Sequence, residues 1–139
     1  MENKNPVISI ITVVYNGVQF LEATIQSVIS QDCKDYEYII IDGGSKDGTL
    51  DIIRKYESNI NYWISEPDKG LYDAMNKGIK AATGKFLWFM NAGDEVFDTS
   101  IVGNILRMGS DEADIFYGEA MIIDDNRNEI GMRRQKTPE

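Results

Sequence analysis

Apolar and polar residues alternate along this chain with two periods, one suited to strands and the other to helices. Val7-Ile8-Ser9-Ile10-Ile11-Thr12-Val13-Val14 is a β-branched run of the kind that fills a buried strand. Asn16-Gly17 follows as a turn and candidate helix cap. Leu21, Ile25, Val28 and Ile29 then recur at helical spacing. Tyr36 to Ile41 predicts a second strand, ending at Asp42-Gly43-Gly44-Ser45. Leu50, Ile52, Ile53 and Tyr56 predict a second helix, capped by Ser45 or Asp47. Tyr62-Trp63-Ile64 predicts a short third strand. Leu71, Ala74, Met75, Gly78, Ile79 and Ala82 mark a third helix, which Gly84 is expected to end. Phe86 to Met90 predicts a buried fourth strand, and Ile101 to Met108 another helix. Ile115-Phe116-Tyr117 and Ala120-Met121-Ile122-Ile123 then read as strands. Asp124 to Asn128 is a turn cluster, and Glu129 to Arg133 a returning hairpin partner. The alternation predicts an α/β sandwich around a mainly parallel sheet.

In an open parallel sheet, ligands bind beyond the carboxyl ends of the strands. The strand ends here are polar or acidic throughout. They are Tyr15-Asn16, Asp42, the segment Ser65-Glu66-Pro67-Asp68-Lys69-Gly70, and Asn91-Ala92-Gly93-Asp94-Glu95. Turn chemistry alone also favours Asn, Asp and Gly, so no single loop identifies a site. The last is the most informative, because an acid beside a hydrophobic strand costs free energy unless it is solvated, paired or bound to a metal.

Composition narrows the chemistry. The chain has 139 residues and a formal net charge of −9, which disfavours a nucleic-acid partner. An anionic ligand would need an offsetting charge, for which a divalent cation is suited. Histidine is absent, which excludes a histidine general base or histidine-ligated zinc within this chain. Cys33 is the single cysteine, in keeping with a reducing compartment. No apolar run approaches the ~20 residues of a membrane span, and Val7 to Val14 lacks a leader's cleavage signal. The expected location is therefore cytoplasmic.

Familiar phosphate and metal motifs fail on inspection. Gly43 to Thr49 has the glycine spacing of a phosphate loop, but Thr49 stands where the lysine belongs. Ser45 breaks the dinucleotide glycine pattern. Gly44 and Ile53 occupy ligand positions of a calcium loop begun at Asp42.

Taken in order, the segments Ile8 to Asn16, Leu21 to Val28, Tyr38 to Thr49, Ser65 to Gly78 and Gly84 to Glu95 resemble the inverting glycosyltransferases of family 2. The likeness covers roughly residues 6–97. It implies the GT-A fold, an α/β/α sandwich that binds a nucleotide-diphosphate sugar, with UDP the expected nucleotide. It implies that Thr12, Tyr15 and Asn16 lie by the base and ribose, and that Asp42 accepts a hydrogen bond from the base. Asp68, Asp73 and Asn76 would border the nucleotide sugar, with Lys77 near the phosphates, and Asn91 would complete the donor set. Asp94 would hold Mn²⁺ or Mg²⁺ against the diphosphate. Where many members carry two adjacent acids, this chain has Gly93-Asp94.

Inverting transfer also needs a general base to take the acceptor's proton. The resemblance puts that base in an acceptor half, of which residues 98–139 would be the start. The base itself is expected beyond Glu139, the last residue of the chain. Glu119 is the candidate within the chain, with Asp124, Asp125 and Glu129 as lesser ones. The chain is accordingly expected to be one glycosyltransferase domain, truncated after its donor-binding portion. The expected acceptor is a saccharide or a lipid-linked sugar in cell-surface polysaccharide assembly, with membrane contact through a missing C-terminal part. The alternative is a nucleotide-sugar-binding module without turnover.

Overall fold

The structure is a computed structural model that describes residues 5–109, 111, 113–116 and 118–133. They fall into two compact units, divided between Met108 and Gly109. In the first, strands β1 (Ile8–Val14), β2 (Tyr36–Asp42), β3 (Tyr62–Ser65) and β4 (Phe86–Phe89) alternate with helices α1 (Leu21–Ile29), α2 (Thr49–Lys55) and α3 (Leu71–Ala81). Helix α4 (Ile101–Arg107) follows. The strands pair in parallel in the order β3-β2-β1-β4.

Every residue of β1 is buried, so its side chains divide between two faces by the strand period. On one face Ile8, Ile10 and Val14 pack with Leu21, Ile25 and Val28 of α1, Ile53 of α2 and Val102 of α4. On the other, Ile11 and Val13 pack with Ile39 and Ile41 of β2 and Ala74 of α3. Helices therefore cover both faces, as the alternation predicts. Helix α3 sits close to the sheet because Gly78 has no side chain: a Cβ there would come within 2.5 Å of Ile11 Cγ2.

The first unit runs past residue 97 because α4 is tied back to α1. Gln31 donates through Nε2 to the Asp98 carbonyl at 2.6 Å and accepts the Val102 N–H through Oε1 at 3.0 Å. In the second unit, β5 (Ala120–Ile123) and β6 (Glu129–Arg133) form the expected antiparallel hairpin.

Several local expectations change. Helix α1 starts at Leu21, with Phe20 before it, and Asn16-Gly17 forms the preceding turn instead of a cap. The Gly17 carbonyl accepts the N–H groups of Phe20 and Leu21 at 3.0 and 2.9 Å. Gly48, at φ 102°, occupies the cap position of α2. Asp47 accepts the Thr49 N–H and hydroxyl through Oδ1, at 3.0 and 2.5 Å. Helix α3 ends at Ala81, with Ala82 as its C-cap, before Gly84. Gly84 is needed for a different reason: a Cβ there would lie 2.7 Å from the backbone N of Ser9. Among the described residues strand β4 is the last of the sheet, and it is partly exposed, with Leu87 at 43%, where its apolar run predicts a buried strand. Ile115 and Phe116 are outside any strand; Tyr117 and residues 134–139 lie outside the described residues.

Candidate functional site

From β1 the chain adds β2 and β3 on one side, then returns to add β4 on the other. That reversal opens a crevice beyond the carboxyl ends of β1 and β4, where open parallel sheets bind ligands. The two loops there are joined by backbone contacts. Met90 and Ala92 donate to the carbonyls of Ile11 and Val13, at 2.8 and 3.3 Å. Gly17 admits the approach, since a Cβ there would meet Val14 Cγ2 at 2.6 Å and Ala92 Cβ at 3.5 Å. The β4 loop is also pinned to α1, where Thr24 Oγ1 and Ser27 Oγ each accept an N–H at 3.0 Å, from Gly93 and Val96.

Gly93 has a φ of 102°, a conformation that favours glycine. The next residue, Asp94, donates its N–H to the Asn91 carbonyl at 2.9 Å, which puts both in one tight turn. Asn91 Oδ1 is buried and has no hydrogen-bond partner among the described residues. A carboxylate and an amide carbonyl are the hard oxygen donors that Mg²⁺ and Mn²⁺ accept. Among the described residues no three His, Cys, Asp or Glu side chains converge to hold a metal. The donor set therefore fits a cation that takes most of its shell from phosphate and water.

Thr12 departs from its expected place beside a ligand. It is fully buried, and its hydroxyl donates to the Met90 carbonyl at 2.6 Å. That uses its one proton, so the Tyr38 hydroxyl, 2.8 Å away, donates to it. Burial pushes the Tyr38 pKa far up, against the smaller opposing effect of the Thr12 bond. The chain Tyr38–Thr12–Met90 ties β2, β1 and the end of β4 together beneath the crevice.

Asp42 is also fully buried. Its Oδ2 accepts from the N–H groups of Gly44 and Ser45 at 3.1 and 2.9 Å and from Ser65 Oγ at 2.7 Å. Its Oδ1 accepts from Ser45 Oγ at 2.5 Å. Three donors crowd Oδ2, while Oδ1 accepts one and keeps its second lone pair. Asp42 organises the loops after β2 and β3, and its carboxylate is buried in this conformation. Asn16 works similarly from the other side. It adopts a φ of 48°, donates its N–H to Ser45 Oγ at 2.7 Å and accepts the Lys46 N–H through Oδ1 at 3.0 Å. Gly17 and Val18 donate to Thr49 Oγ1 and Asp47 Oδ2, at 3.0 and 3.2 Å. Sequence reasoning missed these partners, above all Ser45, Ser65, Tyr38 and Thr49. Short hydroxyl residues beside an acid in a turn are the available signal.

What remains open at the crevice is Tyr15, 66% exposed, with Asp68 near it across Gly43. Asp68 Oδ1 accepts the Gly70 N–H at 3.0 Å. Asp73 and Asn76 share a helix face but not a task. Asp73 Oδ2 accepts the Lys69 N–H at 2.9 Å, and that bond, aided by the Lys77 charge, holds its carboxyl below the ordinary range. Asn76 is exposed. Lys77 pairs with Glu66 at 3.0 Å and Asp73 at 3.8 Å. Its hydrogen bond to Glu66 raises its pKa, and it holds the loop between β3 and α3.

Of the base candidates, Asp124 is engaged within the hairpin. It accepts the N–H groups of Asn126 and Asn128 at 2.9 Å each, and the Asn128 bonds hold its carboxyl below the ordinary range. Glu119, Asp125 and Glu129 are exposed in the same unit. Glu139, beyond which the resemblance leads the base to be expected, lies outside the described residues. A small cleft lined by Ile29, Lys34, Tyr36, Asn59 and Asn61 opens at the opposite end of β2, away from the crevice. No helix among the described residues is long and apolar enough to cross a membrane.

Comparison with known proteins follows the same lines. The family model described as Glycosyl transferase family 2 matches residues 9–139. An uncharacterised glycosyltransferase of Mycobacterium tuberculosis is 39% identical over 103 residues, 73% of this chain and 39% of that protein. A PGL/p-HBAD biosynthesis glycosyltransferase of Mycobacterium bovis is 34% identical over 126 residues, 87% of this chain and 49% of that protein. TuaG of Bacillus subtilis, a glycosyltransferase assigned to teichuronic acid biosynthesis, is 36% identical over 98 residues, 68% and 39% of the two chains. The chain thus spans less than half the length of these relatives. Among solved structures, S. aureus TarS 1–349 with UDP-GlcNAc superposes with a TM-score of 0.65 at 24% identity, over 72% of this chain and 30% of that one. The mannosyltransferase PcManGT of Pyrobaculum calidifontis, with GDP-Man and Mn²⁺, gives 0.69 at 20% identity, over 88% and 37%. At such identities these two likenesses bear on the fold alone.

Proposed function

The chain belongs to glycosyl transferase family 2, and from that premise we propose that it carries the donor side of an inverting transferase. The reading is transfer of a sugar from a nucleotide-diphosphate sugar, UDP-linked in the first instance, to a saccharide or lipid-linked acceptor. The setting is cytoplasmic and the product a cell-surface glycan, in line with the relatives assigned to PGL/p-HBAD and teichuronic acid biosynthesis.

One observation carries the reading: the switch-point crevice keeps Tyr15, Asp68 and the Asn91–Asp94 turn at its mouth while the remaining polar residues hold the loops. Tyr15 offers its ring to the base, and Asn16 borders the ribose. Asp68, Asp73 and Asn76 border the nucleotide sugar, with Asp73 and Lys77 holding the loop between β3 and α3. Asp94, with Asn91, would hold Mn²⁺ or Mg²⁺. When bound, such a cation stabilises the negative charge that grows on the departing nucleoside diphosphate. Thr12 and Asp42 act from behind, as supports. The acceptor's proton needs a carboxylate base, and Glu119 is the candidate within the chain.

Calorimetric titration with UDP, with and without Mn²⁺, tests the donor site. The expected result is binding that Mn²⁺ tightens at least tenfold and that Asp94→Asn returns to the metal-free level. An absence of UDP and GDP binding under both conditions overturns the reading. Transfer from a radiolabelled donor separates a transferase from a binding module without turnover.

A further inference from the structure

Three consecutive backbone N–H groups in the loop after β1 donate to side chains of the loop after β2. Asn16 donates to Ser45 Oγ at 2.7 Å, Gly17 to Thr49 Oγ1 at 3.0 Å and Val18 to Asp47 Oδ2 at 3.2 Å. Each hydroxyl accepts because its own proton is spent on an acid. Ser45 donates to Asp42 Oδ1 and Thr49 to Asp47 Oδ1, at 2.5 Å each. The strap is therefore built from two acid–hydroxyl pairs, one with its acid buried at Asp42 and one with its acid exposed at Asp47. Thr49 is fully buried, and Gly17 is buried with it. The Thr49 hydroxyl, with the Val18 and Thr49 N–H groups, holds the Asp47 carboxyl below its ordinary range. It is charged at neutral pH and acts only as an acceptor.

Tyr15 stands directly before the strap and is 66% exposed, so packing does little to fix its ring. Its backbone is fixed from both sides. The Gly43 N–H donates to the Val14 carbonyl at 2.9 Å before it, and the three strapped N–H groups follow it. A loop that is already in place spares a ligand the cost of ordering it on binding. We propose that Asp47 and Thr49 are positioning residues, which hold the loop after β1 so that Tyr15 is set in advance for a nucleotide. Both act through the backbone of residues 17 and 18. This rests on the reading of the crevice as a nucleotide-sugar site. Asp47 has a second, local task, since its Oδ1 accepts the Thr49 N–H at 3.0 Å at the start of α2. Asp47→Asn keeps that task through its carbonyl oxygen but turns an amide NH₂ toward the Val18 N–H. Thr49→Ser keeps the hydroxyl, and Thr49→Val removes it.

The test is a titration of the whole chain with UDP and with inorganic diphosphate, each in the presence of Mn²⁺, alongside thermal melts. Diphosphate shares the metal-bound part of UDP and has nothing for Tyr15 to meet. Asp47→Asn and Thr49→Val are expected to weaken UDP about tenfold, the scale of one lost preorganised contact, and to leave diphosphate unchanged. Thr49→Ser is expected to bind UDP as the wild type does. Where diphosphate binds too weakly to titrate, the contrast between Thr49→Ser and Thr49→Val decides. Should Thr49→Val fail to fold, Asp47→Asn, at an exposed position, decides alone. Unchanged UDP affinity in the variants overturns the positioning role and leaves the nucleotide site standing. So does an equal loss of UDP and diphosphate, which marks a general loosening of the fold. No UDP binding by the wild type overturns both readings.

Discussion

Glu37 lies on β2 opposite Ser9 of β1, whose hydroxyl donates to its Oε1 at 2.6 Å. The Thr83 N–H donates to the same oxygen at 2.5 Å. Burial pushes the carboxyl's pKa up, but the bonds from Ser9, Thr83 and Gly84 outweigh it and leave the group below its ordinary value. A lowered folded pKa stabilises the fold fully above the unfolded value of about 4.3, and that contribution is lost as pH falls through the folded value. Glu37→Gln should therefore cost about 1 kcal/mol at pH 7 and flatten the fall in stability below pH 4, read from urea melts at several pH values. An unchanged acid limb would contradict this. The acid and the serine are legible in the chain, yet their pairing is not, because it depends on strand register. The same holds at Asp42: its residue type marks a strand end, while its burial under Ser45 and Ser65 is a product of packing.

Strands β1, β2 and β4 meet through the Tyr38–Thr12–Met90 hydrogen bonds, and the direction of donation makes the two hydroxyls unequal. Thr12→Val leaves the buried Tyr38 hydroxyl and the Met90 carbonyl without partners, at an expected cost of about 3 kcal/mol. Tyr38→Phe removes only one donor to Thr12 and should cost about 1 kcal/mol. Equal losses in chemical denaturation would count against this order. The positions of β1, β2, α1 and α3 are legible from period alone, since each buries a regular stripe. The caps of α1 and α2 are not, because Asn16 and Ser45 spend their side chains on neighbouring loops, while Asp47 divides its own between Val18 and the Thr49 N–H that opens α2. The partial exposure of β4 among the described residues is equally hidden: an apolar run says a strand is wanted by a core, not what covers each of its side chains.

At the scale of the molecule, a net charge of −9 opposes an anionic ligand unless a cation joins it. UDP and Mn²⁺ together should therefore raise the melting temperature by more than the sum of their separate effects. At about 100 times the dissociation constant the gain is about 2.7 kcal/mol, several degrees for a domain of this size. Additive shifts in a thermal melt would contradict a shared site. By itself the sequence determined the alternation of strands and helices, the family, and the kinds of residue standing at each strand end, because period and motif are carried by near neighbours. Only the tertiary structure decided which of those residues are buried and which stay open at the crevice. It turned Thr12 and Asp42 inward and brought Asp68 into the space left by Gly43, beside Tyr15. Such contacts join loops far apart in the chain, so packing decides them, and no local pattern records them.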